Sequence, residues 1–226
     1  MGKLEICVDS PEDLALAIAA KVDRVELCSA LDLGGLTPSA GLIAQARMSE
    51  IPIYAMIRPR GGDFVYSELE LQSMESDIQA TRQAGLAGVV FGALKADQTL
   101  DQSALRMLCN AAKGLGMTLH RAVDDMVSPR GAVLSAIELG FERILTSGGA
   151  AKAVDGLDEL SAMVELADGR IEIMAGSGVS HLCVADLRAA NIQSFHASCR
   201  VKDQDSGHGR INVEALGRLH DAAKRS

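Results

Sequence analysis

Aromatic residues are scarce in this chain: four phenylalanines, two tyrosines and no tryptophan among 226 residues. With hydrophobic residues at 48%, a substantial core is expected, and aliphatic side chains must build it. There is no basic stripe, and the net charge of −8 argues against a nucleic-acid partner. No apolar run reaches the length of a membrane span, and Met1-Gly-Lys-Leu-Glu5 leads into a strand rather than a signal peptide. No membrane partner is therefore expected. The five cysteines are odd in number, widely spaced and without a CxxC, which fits reduced thiols in a cytoplasmic protein better than a disulfide framework. HExxH and MxxM are absent, and the nine methionines are scattered. No proline- or serine-rich linker interrupts the chain, so residues 1–226 read as a single domain.

Three short apolar segments set the pattern: Lys3–Asp9, Arg24–Cys28 and Ile53–Arg60. Each alternates with a period of two, as a strand does. Glu5 and Cys7 share one side, with Ile6 and Val8 on the other; Glu26 and Cys28 oppose Val25 and Leu27; Met56, Arg58 and Arg60 oppose Ala55 and Ile57. If the apolar sides meet helices, the polar sides face an enclosed interior or its rim, where a charge is costly unless partnered.

Further strands are predicted over Gly88–Gly92, Met117–Arg121, Arg143–Ser147, Ile171–Ala175 and Ile192–Ala197. Helices follow each one. Ser10-Pro11 caps the first, Thr37-Pro38 opens the second and Ser128-Pro129 the fifth, while Asn212 caps the last. The others are placed from near Ser67, Asp101, Lys152 and Ser180. Eight strand–helix units with a repeat of roughly 28 residues predict a single-domain (β/α)8 TIM-like barrel, with an open doubly wound sheet as the lesser alternative.

In such a barrel the chemistry gathers at the C-terminal ends of the strands. Glu26, His120 and Asp124 are the candidates for proton transfer there; Arg58, Arg60 and His196 are candidates for holding an anion. The same charges, with Glu5, could instead form an ion-pair plug that fills the barrel. Gly148-Gly149, just past Ser147 at the end of strand six, and Gly176-Ser-Gly178 after strand seven lie where many barrels hold phosphate, although glycines there also make ordinary tight turns. Leu145-Thr-Ser147 supplies no lysine, which disfavours Schiff-base chemistry. Cys7 and Cys28 are expected at similar heights on strands about 4.8 Å apart, where two thiolates suit a soft ion such as Cu(I); buried cysteines also simply fill space. Cys109 and Cys183 read as packing, Cys199 as packing or an accessory thiol, and His181, His208 and His220 as solvated.

Several segments carry a resemblance to a known family. They are Glu5-Ile-Cys7-Val-Asp-Ser10, Arg24-Val-Glu-Leu-Cys28-Ser-Ala30, Gly34-Gly-Leu-Thr-Pro-Ser39 and Ile57-Arg-Pro-Arg-Gly-Gly-Asp-Phe-Val-Tyr-Ser67. Thr118-Leu-His-Arg-Ala-Val-Asp124, Leu145-Thr-Ser-Gly-Gly149, Met174-Ala-Gly-Ser-Gly-Val179 and the His196 segment extend it. Together they resemble the CutC family of copper homeostasis proteins, up to about Ser198. The resemblance implies a TIM-like barrel, a cytoplasmic homo-oligomer, and copper(I) held by Cys7 and Cys28. The segment after His196 is shorter than the family's usual serine-rich tail. Two functions follow as alternatives: a Cu(I)-binding protein, or an enzyme acting on a small phosphorylated or carboxylated molecule bound as an anionic ligand.

Overall fold

The computed structural model describes residues 2–202 and 209–225. The expected barrel is there. Eight parallel strands close on themselves in chain order: β1 (Lys3–Val8), β2 (Arg24–Leu27), β3 (Ile53–Met56), β4 (Gly88–Phe91), β5 (Gly116–Leu119), β6 (Arg143–Thr146), β7 (Glu172–Ala175) and β8 (Ser194–Ala197). The helices α1 (Pro11–Ala19), α2 (Ala40–Ala46), α3 (Glu68–Ala84), α4 (Gln102–Ala111), α5 (Ala132–Leu139), α6 (Leu157–Ala167) and α7 (Val184–Ala189) connect them. An antiparallel pair not anticipated from the sequence, β9 (Arg200–Lys202) with β10 (Gly209–Ile211), precedes α8 (Val213–Lys224). His208 lies outside the described residues.

Local chemistry explains most element boundaries. Ser10 caps α1 by accepting from the Asp13 N–H, with Pro11 in the first turn. Ser67 and Glu70 form a reciprocal capping box on α3, and Asn212 caps α8. Thr37 was the expected start of α2, but Ser39 caps that helix instead, because the Thr37 hydroxyl is tied to the Arg58 backbone. The stretches after Ser128, Lys152 and Ser180 begin with turns, and α5, α6 and α7 start a few residues later than expected. Strand β3 ends at Met56, and Arg58 stands on the loop beyond it.

The outward strand faces, including Leu4, Ile6, Val25, Leu27, Ala55 and Phe91, pack under the helices as one largely aliphatic core. The inward faces are polar at both ends of the barrel. At its floor, the Tyr54 ring lies beside the guanidinium carbons of Arg143 (4.7 Å) and Arg24 (5.5 Å), and its hydroxyl donates to Glu142 at 2.8 Å. This ring needs two glycines: a Cβ on Gly88 would stand 2.2 Å from Tyr54 Cε1, and one on Gly116 would stand 2.1 Å from its hydroxyl.

Strand register then fixes the central ion pairs. Glu5 on β1 is level with Arg24 on β2 and with His196 on β8. Arg24 Nε donates to Glu5 Oε2, and His196 Nδ1 lies 2.7 Å from Glu5 Oε1. Glu5 is 0% exposed. Burial works against its charge, yet Arg24 and His196 outweigh burial and bring its carboxyl from the ordinary 4.5 down to about 2.

Because this carboxyl is more acidic in the folded chain than in the unfolded one, its stabilisation is complete above about pH 4.5 and is lost as pH falls toward 2, on the order of 3 kcal/mol. Glu5→Gln is expected to cost roughly 3–5 kcal/mol at neutral pH by removing the carboxylate between two buried cations, which leaves Arg24 only Glu172 at 3.5 Å. It should also flatten that acid limb. Urea unfolding of both proteins between neutral pH and pH 3 measures the two effects.

Candidate functional site

Above Glu5, one residue further up each inward face, the register places Cys7 opposite Glu26. His196 reaches the same level from β8, its Nδ1 facing Glu5 and its Nε2 lying 3.8 Å from Glu26 Oε2. One donor atom each from Cys7, Glu26 and His196 lie within 4.8 Å of one another, and all three residues are buried. Cys28 stands just past β2, two residues beyond Glu26, and its thiol lies 3.4 Å from Glu26 Oε2. Cys7 is thus in register with Glu26 rather than with Cys28, and both thiols border the same carboxylate.

Each group's protonation follows from its neighbours. Burial opposes a charged His196, but Cys7 and Glu26 raise its affinity for a proton well above the ordinary value. Burial pushes the Glu26 carboxyl up, with the Glu5 charge adding to it against the pull of His196. Burial and the Glu26 and Cys7 charges raise the Cys28 thiol well above its usual range, so it is a neutral donor to Glu26. Glu26 Oε1 is buried and has no partner among the described residues.

Cys7, Glu26 and His196 form the deep wall of a cavity of about 820 Å³ at the C-terminal ends of the strands, while Cys28, 0% exposed, is not part of its lining. Arg58 and His120 line it too. Arg58 is not a free clamp: Nη1 donates to the carbonyls of Leu33 (2.9 Å) and Gly35 (3.3 Å), and Nη2 donates to that of Gly62 (2.8 Å). It fastens two loops to the rim. His120 accepts from the Ala122 N–H through Nδ1 at 3.2 Å, so its remaining proton sits on Nε2. Burial and the Arg58 charge push His120 down to about 3, and it stays neutral.

The other expected site residues fall elsewhere. Asp124, read as a proton-transfer candidate, accepts from Thr146 Oγ1 (2.6 Å), the Ser147 N–H (3.0 Å), the Gly149 N–H (3.1 Å) and Arg121 Nε (2.8 Å). With its lone pairs so used, it anchors the loop after β6. Ser147 donates to the Ala150 carbonyl within that loop, and Gly148 adopts φ +71 with its Cα against the Gly156 carbonyl. Gly176 packs against Leu145, and Gly178 borders the cavity. Arg60, 38% exposed, pairs with Glu70 and Asp63 and holds the start of α3. It is not a cavity residue, because β3 ends before it and the backbone turns outward.

Sequence reasoning missed Arg200 and Phe64 as cavity residues. Arg200 reaches the rim only because β9 pairs with β10, and its Nη1 lies 3.3 Å from Asp9 Oδ2. Phe64 lies within the motif running from Ile57 to Ser67, which was the available signal. Cys199 also lines the cavity; burial and the Cys7 charge push its thiol up to about 12. Cys183 donates to the Ser180 carbonyl at 3.2 Å, and Cys109 packs against the core, as expected of packing cysteines.

The fold and its mouth define a class: a (β/α)8 barrel whose C-terminal cavity is floored by a thiol, an imidazole and a carboxylate held over an internal ion-pair plug. The chain belongs to the CutC family, whose model matches residues 2–201. It is 54% identical over 196 residues to a family protein CutC of Caulobacter vibrioides, covering 86% of this chain and 80% of that protein. A family protein CutC of Sinorhizobium medicae is 51% identical over 201 residues, covering 88% of this chain and 82% of that protein. The crystal structure of a CutC from Streptococcus agalactiae, described as a candidate copper homeostasis protein, superimposes with a TM-score of 0.83 at 34% identity, covering 88% of this chain and 99% of that one.

The two cavity histidines have opposite environments, which NMR can read directly. The His120 ring is expected to remain neutral from neutral pH down to about pH 4, and the His196 ring to remain an imidazolium at pH 7. Ring resonances of His120 titrating near 6.5 would contradict the buried environment assigned to it.

Proposed function

We propose that this chain binds Cu(I) at the barrel mouth, with Cys7 Sγ and His196 Nε2 as the innermost donors and Cys28 Sγ as the second thiolate. The observation that carries this reading is the meeting of Cys7, His196 and Glu26 donor atoms within 4.8 Å in a buried position. Two sulfurs and an imidazole are the soft donors a monovalent copper ion prefers over hard oxygen ligands. The residues present therefore fit the ion.

The surrounding residues support the same role. Glu5, fixed by Arg24, receives His196 Nδ1 and holds the ring with Nε2 directed toward the Cys7 level. A carboxylate behind a ligating histidine sets its tautomer and raises its basicity. Glu26 lies beside both thiols and can accept a proton that a thiol releases on becoming a ligand. The membership in the CutC family, and the candidate copper homeostasis role of the Streptococcus agalactiae relative, agree with this assignment. Among the described residues no helix is long and apolar enough to cross a membrane, and a cytoplasmic location with reduced thiols is part of the proposal.

Anaerobic Cu(I) titration against a competing chelator tests it. The Cys7→Ser/Cys28→Ser double variant is expected to bind at least about 100-fold more weakly, and Glu5→Gln roughly 10- to 100-fold more weakly through the histidine it positions. Affinity should rise with pH, since each ligand must give up its proton first. A double variant that binds Cu(I) as tightly as the parent chain would overturn the assignment.

A further inference from the structure

A second feature of the mouth is independent of the thiols. Arg58 is 6% exposed, yet no carboxylate lies within 4.0 Å of it among the described residues. Its guanidinium is held by three backbone carbonyls, which satisfy N–H groups but do not neutralise a charge. The other two arginines of the cavity wall are matched, Arg121 with Asp124 at 2.8 Å and Arg200 with Asp9 at 3.3 Å. A buried cation without a counter-ion is costly and calls for an anion.

The neighbouring donor is unmatched in the same sense. His120 is 3% exposed, its Nδ1 is occupied by the Ala122 N–H, and its Nε2 is buried with no partner among the described residues. Arg58 Nε likewise has no acceptor among the described residues, although the Tyr66 hydroxyl lies against this guanidinium. Phe64 joins the two residues: the Arg58 guanidinium carbon lies 4.6 Å from its ring centroid, and the His120 ring lies 4.8 Å from it. One cation and two N–H groups without a partner among the described residues therefore flank the Phe64 ring, and Arg58, Phe64 and His120 all line the cavity.

The size of that cavity, about 820 Å³, far exceeds the roughly 30 Å³ of a single water and lies in the range of small-molecule sites. From these observations we infer that the cavity takes a small organic acid, whose carboxylate or phosphate oxygens accept from His120 Nε2–H and neutralise Arg58. The deep thiol and imidazole wall stands across the same space, so a bound acid and a bound metal ion would be neighbours. The inference does not rest on the copper assignment.

The test uses the full-length, metal-free chain with a metal chelator in excess, so its outcome is separate from that of the Cu(I) titration. Calorimetry with inorganic phosphate, glycerol 3-phosphate and malate compares the bare oxyanion with an organic phosphate and an organic carboxylate. At least one organic probe is expected to bind more tightly than inorganic phosphate. His120→Phe, which keeps a ring against Phe64 and removes the donor, is expected to weaken it about tenfold or more. In the parent chain, labelled at histidine nitrogen, the His120 Nε2 resonance should shift as the probe saturates, which keeps the test decisive if the variant does not fold. Absence of binding by all three probes at millimolar concentration, equal affinity in His120→Phe, or an unmoved His120 Nε2 signal at saturation would each overturn the inference.

Discussion

The structure depends on one carboxylate between two cations. Glu5 on β1 is level with Arg24 on the strand to one side and with His196 on the strand to the other, so an ion relay crosses the barrel interior beside its buried apolar side chains. A buried charge of this kind is tolerated only when its partners are fixed. Strand register fixes them here, because side chains that alternate with a period of two present Glu5, Arg24 and His196 to the same enclosed space. The floor below, with Tyr54 between Arg24 and Arg143, leaves no room for a Cβ at Gly88 or Gly116.

The same relay prepares what lies above it. Glu5 occupies one nitrogen of His196, which leaves the other for the mouth, where Cys7, Glu26 and Cys28 gather. The ion-pair plug that the sequence offered as one reading of these charges is the lower storey of this arrangement, and the cavity mouth is the upper one. Glu5 and Arg24 belong to the plug, Cys7 and Glu26 to the mouth, and His196 to both. The arginines divide differently: Arg60 braces α3 at the surface, while Arg58 ties loops to the rim and has no carboxylate partner among the described residues.

Residue types and spacing revealed the inward faces of β1 and β2, because alternation is a local property of a strand. They also revealed the helix starts where the cap is a local hydrogen bond, as at Ser10, Ser67 and Asn212. Asp124 was legible as a residue near the mouth, but its use as a loop anchor was not, since the donors from that loop, Thr146, Ser147 and Gly149, lie more than twenty positions away. Arg200 was illegible for a similar reason: only the β9–β10 pairing carries it to the rim. The Cys7–Cys28 pair was legible as two inward thiols, but the register that sets Cys7 against Glu26 was not.

By itself, the sequence determined the eight-fold alternation of strand and helix, the aliphatic nature of the core, and which strand faces carry charge, because each follows from neighbours a few residues apart. Only the tertiary structure decided which charges neutralise one another, which thiol stands level with which acid, and which arginine has no counter-ion among the described residues. Those outcomes depend on barrel closure and strand register, which bring together residues such as Glu5 and His196 from opposite ends of the chain.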